Sequence, residues 1–121
     1  MAMIRGGVLF LMLFAMPAYA DTPQELVIKL RTGSYWYGIA LACKANTSGD
    51  NRNEWAYLMQ RADEVGRTDV MQALLGEVNI DYLKLQMKLS MDQGVALGNE
   101  SGCGDPEKQL FIEWLTTRVP L

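Results

Sequence analysis

The apolar residues of this chain recur at helical spacing, and the first such segment follows Thr22. Thr22, Pro23 and Glu25 form a capping box with proline at the first helical position, which is a typical helix start. Two apolar stripes then lie on nearly opposite faces: Leu26, Leu30, Tyr37 and Leu41 on one, Ile28, Tyr35, Ile39 and Ala42 on the other. The pattern predicts a first helix that ends near Cys43, and Gly33 leaves open whether it is continuous or split.

Two further helices are predicted in the middle of the chain. The segment 46–53 contains no apolar residue and is expected to be a surface loop. A second helix is expected from about Asn53 to Val65, with Gly66 as its stop. A third is expected to begin near Thr68 and to pack through a seam formed by Met71, Leu75, Val78, Tyr82, Leu85 and Leu89. A second stripe on its far side consists of Ile80, Leu83, Met87 and Met91.

The last part of the chain predicts one more helix after a glycine-rich break. Residues Gln93–Gly104 contain four glycines and are expected to end the third helix. Asp105 and Pro106 then repeat the pattern of a cap followed by proline, and Pro120 is expected to end the last helix. Because no segment alternates as a strand does, the sequence predicts an all-α fold. We expect a small bundle of four to five helices in one domain, residues 21–121.

The first twenty residues have the layout of a signal peptide. Arg5 supplies a positive charge, Val8–Met16 an apolar stretch, and Ala18-Tyr19-Ala20 a cleavage site of small residues. The apolar stretch is shorter than the roughly 20 residues that a membrane-spanning helix needs. We therefore predict cleavage after residue 20 and export without a retained membrane anchor, to the periplasm or alternatively to the extracellular space.

Two cysteines, Cys43 and Cys103, lie in the predicted mature chain. An exported pair in an oxidising compartment is expected to form a disulfide. The chain has neither a C-x-x-C spacing nor a histidine, so a redox pair or a zinc site is disfavoured. The bridge is predicted to join the end of the first helix to the start of the last one.

Charge and composition narrow the function further. The formal net charge is −3, and it becomes −4 once Arg5 is removed with the leader, which disfavours binding to nucleic acid. The absence of histidine removes the usual general base, and no sequence motif indicates a cofactor or a metal. Glu77 and Asp81 are the best carboxylate pair, expected one turn apart on a helix face that continues with Lys84 and Lys88. Such a face is more typical of a solvated, salt-bridged surface than of a catalytic site.

The aromatic triplet Tyr35-Trp36-Tyr37 covers about 200° of a helix, so it cannot face a single core. Either the first helix is central and surrounded by the others, or part of the triplet is a recognition surface. The residues predicted to bind another protein are Tyr35, Trp36, Ile39, Met87 and Met91. A homodimer would also cover the surplus apolar surface of the first and third helices.

These observations favour a protein that acts by binding, not by catalysis. The leading hypothesis is an exported inhibitor or immunity protein for an enzyme that attacks the cell envelope. One alternative is a periplasmic stress chaperone activated by acid, because carboxylates would neutralise at low pH and expose the methionine-bearing stripes. A second alternative is a carboxylate-dependent envelope hydrolase that uses Glu77 and Asp81.

Overall fold

The computed structural model describes residues 21–118, and this part of the chain forms four helices and no strand. α1 spans Pro23–Asn46, α2 Gly49–Leu75, α3 Ile80–Ser101 and α4 Asp105–Arg118. The predicted all-α fold is confirmed. The predicted signal peptide, residues 1–20, and the predicted helix stop at Pro120 lie outside the described residues.

α1 is continuous and occupies the centre of the molecule. The predicted capping box is present, because the Thr22 hydroxyl accepts a hydrogen bond from the Glu25 amide at 3.2 Å and the Glu25 carboxylate accepts one from the Thr22 amide at 2.8 Å. The helix passes through Gly33 without a break. It packs along its length against α2 and α3, and Trp36 carries the contact with α4. The helix is apolar on more than one face because its neighbours lie on different sides.

Glycines bring α1 and α3 together more closely than other residues would allow. A Cβ on Gly94 would collide with the carbonyl oxygen of Tyr35, and a Cβ on Gly98 would lie 2.7 Å from the Cβ of Ala42. A Cβ on Gly38 would in turn collide with the backbone of α3. The order of these contacts shows that α1 and α3 run in the same direction.

The predicted break at Gln93–Gly104 is therefore wrong over most of its length, because α3 continues to Ser101. Glycine weakens a helix by about 1 kcal/mol relative to alanine, but here it permits the close packing against α1. The chain leaves α3 only at Gly102, whose φ of +83° is accessible mainly to glycine. Cys103 follows at once.

The boundary between the second and third helices also differs from the prediction. α2 begins at Gly49 and continues through Gly66 to Leu75, so the expected loop is shorter and the expected stop is wrong. The turn lies after Gly76, whose amide donates to the Gln72 carbonyl at 2.9 Å. Asn79 then caps α3 by accepting a hydrogen bond from the Tyr82 amide at 3.0 Å. These capping residues determine where α2 ends and α3 begins, although the apolar periodicity continues across the turn.

The shifted boundary leaves five of the six residues of the predicted seam exposed, and only Val78 packs against the core. Met71, Leu75, Tyr82, Leu85 and Leu89 are all exposed, and Leu75 is 79% exposed. The seam combined residues of two helices into one stripe, and it therefore corresponds to no real face. The predicted second stripe contains the packing face of α3, because Leu83 is buried and Met87 packs against the same cluster.

The core consists of two clusters along α1. One is built around Leu26 and Leu30 of α1 with Ala73 of α2 and Leu83 of α3. The other surrounds Trp55 of α2, and its members include Ile39, Cys43, Leu58, Phe111 and Leu115. The second cluster joins α4 to the rest of the molecule.

Cys43 and Cys103 are at disulfide distance, with Cα atoms 5.4 Å apart, as predicted. The carbonyl of Cys103 accepts hydrogen bonds from Trp55 Nε1 at 3.1 Å and from Asn51 Nδ2 at 3.4 Å. The bridge thus holds the segment between α3 and α4 against both α1 and α2.

Lys108 fixes the start of α4 to α2. Its ammonium group donates to Asn51 Oδ1 at 2.7 Å and to the carboxylate of Glu54, and Asp105 Oδ1 lies 3.4 Å away. The hydrogen bond to Glu54 raises the pKa of Lys108 above its ordinary value of 10.5, and Asp105 acts in the same direction, whereas burial lowers it. The net effect stabilises the charged form of this nearly buried lysine.

Candidate binding groove

The structure separates the residues that were predicted to bind a protein. Ile39 belongs to the core and is only 5% exposed. Trp36 is partly buried and packs against Phe111 and Trp114 of α4, with ring centroids 5.1 and 6.1 Å away. Tyr35 contacts the edge of Trp36 at 5.9 Å. Trp36 therefore helps to pack α4 onto α1.

Met87 and Met91 line a groove of about 510 Å³ between α2 and α3. α1 forms the floor of this α2–α3 groove with Leu30, Ser34 and Tyr37. Its lining is mostly apolar, and it is open to solvent along one side. The structure thus places the two methionines and the third member of the aromatic triplet in one concave surface.

The α2 side of the groove is built from small and apolar residues: Ala62, Gly66 and Val70. Gly66 has no steric reason to be glycine, because a Cβ at this position would have no atom within 4 Å. A mid-helix glycine costs about 1 kcal/mol relative to alanine. The stability of the chain by itself therefore does not account for Gly66.

Charged residues border the groove on both sides. Arg67 and Asp63 of α2 form an exposed ion pair of 2.9 Å. On the α3 side, Lys88 pairs with Asp92 at 2.9 Å, whereas Lys84 has no ion-pair partner within residues 21–118. Three cations and one carboxylate, Asp63, thus line a groove in a chain whose formal net charge is −3.

A second exposed apolar surface lies on the outer side of α3. Tyr82, Leu85 and Leu89 are each about half exposed, and they lie on the side of α3 opposite Gly94, which contacts α1. This surface belongs to a single helix, so it is convex. It offers contact area but no pocket for an anchoring side chain.

The carboxylates proposed for a hydrolase do not share a helix face. Glu77 lies in the turn between α2 and α3 with a φ of +64°, and Asp81 lies in the first turn of α3. Both side chains are exposed. Among residues 21–118, no group of three or more acidic, cysteine or histidine side chains is arranged to hold a metal ion.

Sequence reasoning found the two methionines but missed most of the groove. Lys84 was interpreted as part of a solvated, salt-bridged surface and Gly66 as a helix stop, and Arg67 was not singled out. A signal was available at Gly66, because the amphipathic pattern on both sides of it keeps the same phase: Leu58, Ala62, Val65, Asp69 and Ala73 are buried on one face.

Residues 21–118 contain no helix that is long and apolar enough to cross a membrane. No family model matches the chain, and neither a curated protein nor a solved structure is similar to it.

Proposed function

We propose that this chain is an exported protein that acts by binding another protein, as an inhibitor or immunity protein of an envelope-targeting enzyme does. Two features of the sequence support export: the signal-peptide layout of residues 1–20 and the pair Cys43 and Cys103. Disulfides persist in oxidising compartments such as the periplasm.

The α2–α3 groove is the observation that carries the binding proposal. It is concave and mostly apolar, and Met87 and Met91 supply flexible side chains that adapt to a bound surface. Gly66 has no side chain, so the α2 side of the groove stays open at this position, and an added Cβ would contact no other atom within 4 Å. Each of these features suits contact with another molecule better than it suits the stability of this chain alone.

The test is capture from an envelope extract by protein purified from cells that express the full chain. The wild type is compared with Gly66→Leu, which fills the groove, and with Gln60→Leu, an exposed position of α2 that does not line the groove. Leucine favours a helix over glycine by about 0.8 kcal/mol, so Gly66→Leu is expected to fold.

We expect one protein that the wild type and Gln60→Leu retain and that Gly66→Leu loses, with a complex that re-forms from the two purified components. If no protein is retained, or if all three forms retain the same proteins equally, the proposal is wrong.

The outer surface of α3 supports the chaperone as a second candidate. Tyr82, Leu85 and Leu89 offer exposed apolar area without a pocket, which suits weak contact with many unfolded chains. A chaperone would suppress the aggregation of unrelated proteins and bind more hydrophobic dye as the pH falls. A dedicated inhibitor is expected to do neither.

A further inference from the structure

Resting on the proposed function, we infer that the α2–α3 groove takes an amphipathic helix of the partner with acidic residues beside its apolar face. Its apolar side chains lie on Leu30, Tyr37 and the two groove methionines. Its carboxylates meet Lys84 and Lys88 on one side and Arg67 on the other.

The arrangement of the helices defines the shape of the occupant. α2 and α3 each pack on α1 and stand on either side of it, so the groove runs along the helix axes. A helix laid there would contact all three and complete a second bundle around α1. Helix-in-groove binding of this kind uses apolar anchors at positions i, i+3, i+4 and i+7.

Small residues allow such a helix to approach closely. Ser34 of α1 and Ala62 and Gly66 of α2 line the groove with little side-chain volume. In this chain the closest helix contact, between α1 and α3, also depends on small residues, namely Gly38, Gly94 and Gly98. Gly66 would have the same role towards a helix that is supplied by the partner.

The charges of the groove select an acidic occupant. Lys84 has no ion-pair partner in the described part of the chain, and the Arg67–Asp63 and Lys88–Asp92 pairs are exposed. Exposed pairs contribute only about 0–1 kcal/mol, so Arg67 and Lys88 can turn to a bound carboxylate at little cost. Rim charges act mainly on the association rate and its salt dependence.

A fatty acid would satisfy the same chemistry, with an apolar tail and a carboxylate. The open side of the groove disfavours it, because small-ligand sites usually bury 70–90% of the ligand surface. An amphipathic helix, in contrast, buries only its apolar face and keeps its polar face in water, so an open groove suits it. The structure therefore favours the helix, and the experiment includes the fatty acid as a competitor.

The experiment selects binders from a library of randomised helical peptides of about 18 residues, which form a helix about 27 Å long. The target is the oxidised protein purified from cells that express the full chain, and binders that also bind Gly66→Leu are removed. Selected peptides are then measured against the wild type, Lys84→Glu and a matched control, Lys44→Glu, which does not line the groove. Palmitate is added to separate samples.

We expect the selected peptides to be more acidic than the library, with apolar residues at helical spacing. Lys84→Glu is expected to weaken their binding at least about fivefold and Lys44→Glu less than twofold, and added salt should weaken binding as well. Neutral or basic peptides, equal effects of the two substitutions, or displacement by stoichiometric palmitate would each overturn the inference. If the extract capture still depends on Gly66 in that case, the proposed function stands and only the acidic helix is wrong.

Discussion

Gly94 of α3 lies directly against the backbone carbonyl of Tyr35 of α1, with no room between them for a Cβ. This contact sets the distance between the two helices, and through it the position of Met87 and Met91 relative to Tyr37 in the groove. The crossing of α1 and α3 is therefore the part of the fold on which the geometry of the groove depends.

Gly94→Ala is expected to destabilise the protein by about 2 kcal/mol or more, because the added methyl group forces two backbones apart. Its helix-propensity gain of about 1 kcal/mol is too small to compensate. Gly66→Ala is the matched control and should stabilise by about 0.5–1 kcal/mol, since nothing lies near its added Cβ. Urea unfolding of the oxidised proteins measures both. Equal effects at the two glycines would contradict the close crossing.

The disulfide is expected to contribute about 4 kcal/mol, because Cys43 and Cys103 close a loop with a sequence separation of 60. The measurement is the unfolding free energy of the wild type with and without reductant, beside a variant with both cysteines replaced by alanine. The double variant should match the reduced wild type and should not respond to reductant. A wild type equally stable in both states would show that the bridge does not constrain the unfolded chain.

The ion pair between Asp69 and Arg118 is predicted to respond asymmetrically to substitution. Arg118 Nη2 lies 2.5 Å from Asp69 Oδ1, Asp69 is 1% exposed, and the Arg118 side chain is 19% exposed. Arg118→Ala leaves the buried carboxylate of Asp69 without its counter-ion and should cost about 3 kcal/mol. Asp69→Ala should cost less, because Arg118 can turn outward. Thermal unfolding of both variants gives the order, and the reverse order would contradict this account.

The protein is expected to lose stability at alkaline pH because Lys108 loses its charge there. Its pKa is raised in the folded protein, so its contribution is fully present below the ordinary value of 10.5 and is lost as the pH rises through the folded-state pKa. The difference in unfolding free energy between the wild type and Lys108→Met should therefore be constant near neutral pH and shrink above about pH 10.5. A difference that stays constant through alkaline pH would contradict this account.

Local chemistry in the sequence was sufficient for part of the fold. The capping box at Thr22 and the proline after Asp105 identified the starts of α1 and α4. The two cysteines identified their own pairing. A helix start depends on contacts within a few residues, and two cysteines allow only one pairing. The sequence alone is therefore sufficient to predict both.

Glycine was the main source of error, because its role depends on what lies next to it. Gly94 and Gly98 permit a helix crossing, Gly66 lies inside a helix, and Gly102 ends one. The sequence shows the same residue in each case, and only the neighbouring helix distinguishes them. The misplaced boundary at Gly66 then produced a seam that includes the exposed Leu85.

The α2–α3 groove could be predicted only in part for the same reason. Trp36 carries a large aromatic surface, but it packs against Phe111 and Trp114, whose position in space cannot be read from spacing. Met87 and Met91 were identified as one stripe of a helix. Their place in a groove depends on α2 and α3 standing apart on α1, which is a property of the whole fold.

Methionine-methyl NMR tests the central claim, that a partner occupies the α2–α3 groove, most directly. Residues 21–118 contain four methionines: Met59, Met71, Met87 and Met91. Met87 and Met91 line the groove, whereas Met71 is exposed on α2 outside it. On titration with the captured partner, the account predicts that the Met87 and Met91 signals shift and that the Met71 signal does not. A shift of Met71 with unchanged Met87 and Met91 signals would contradict it.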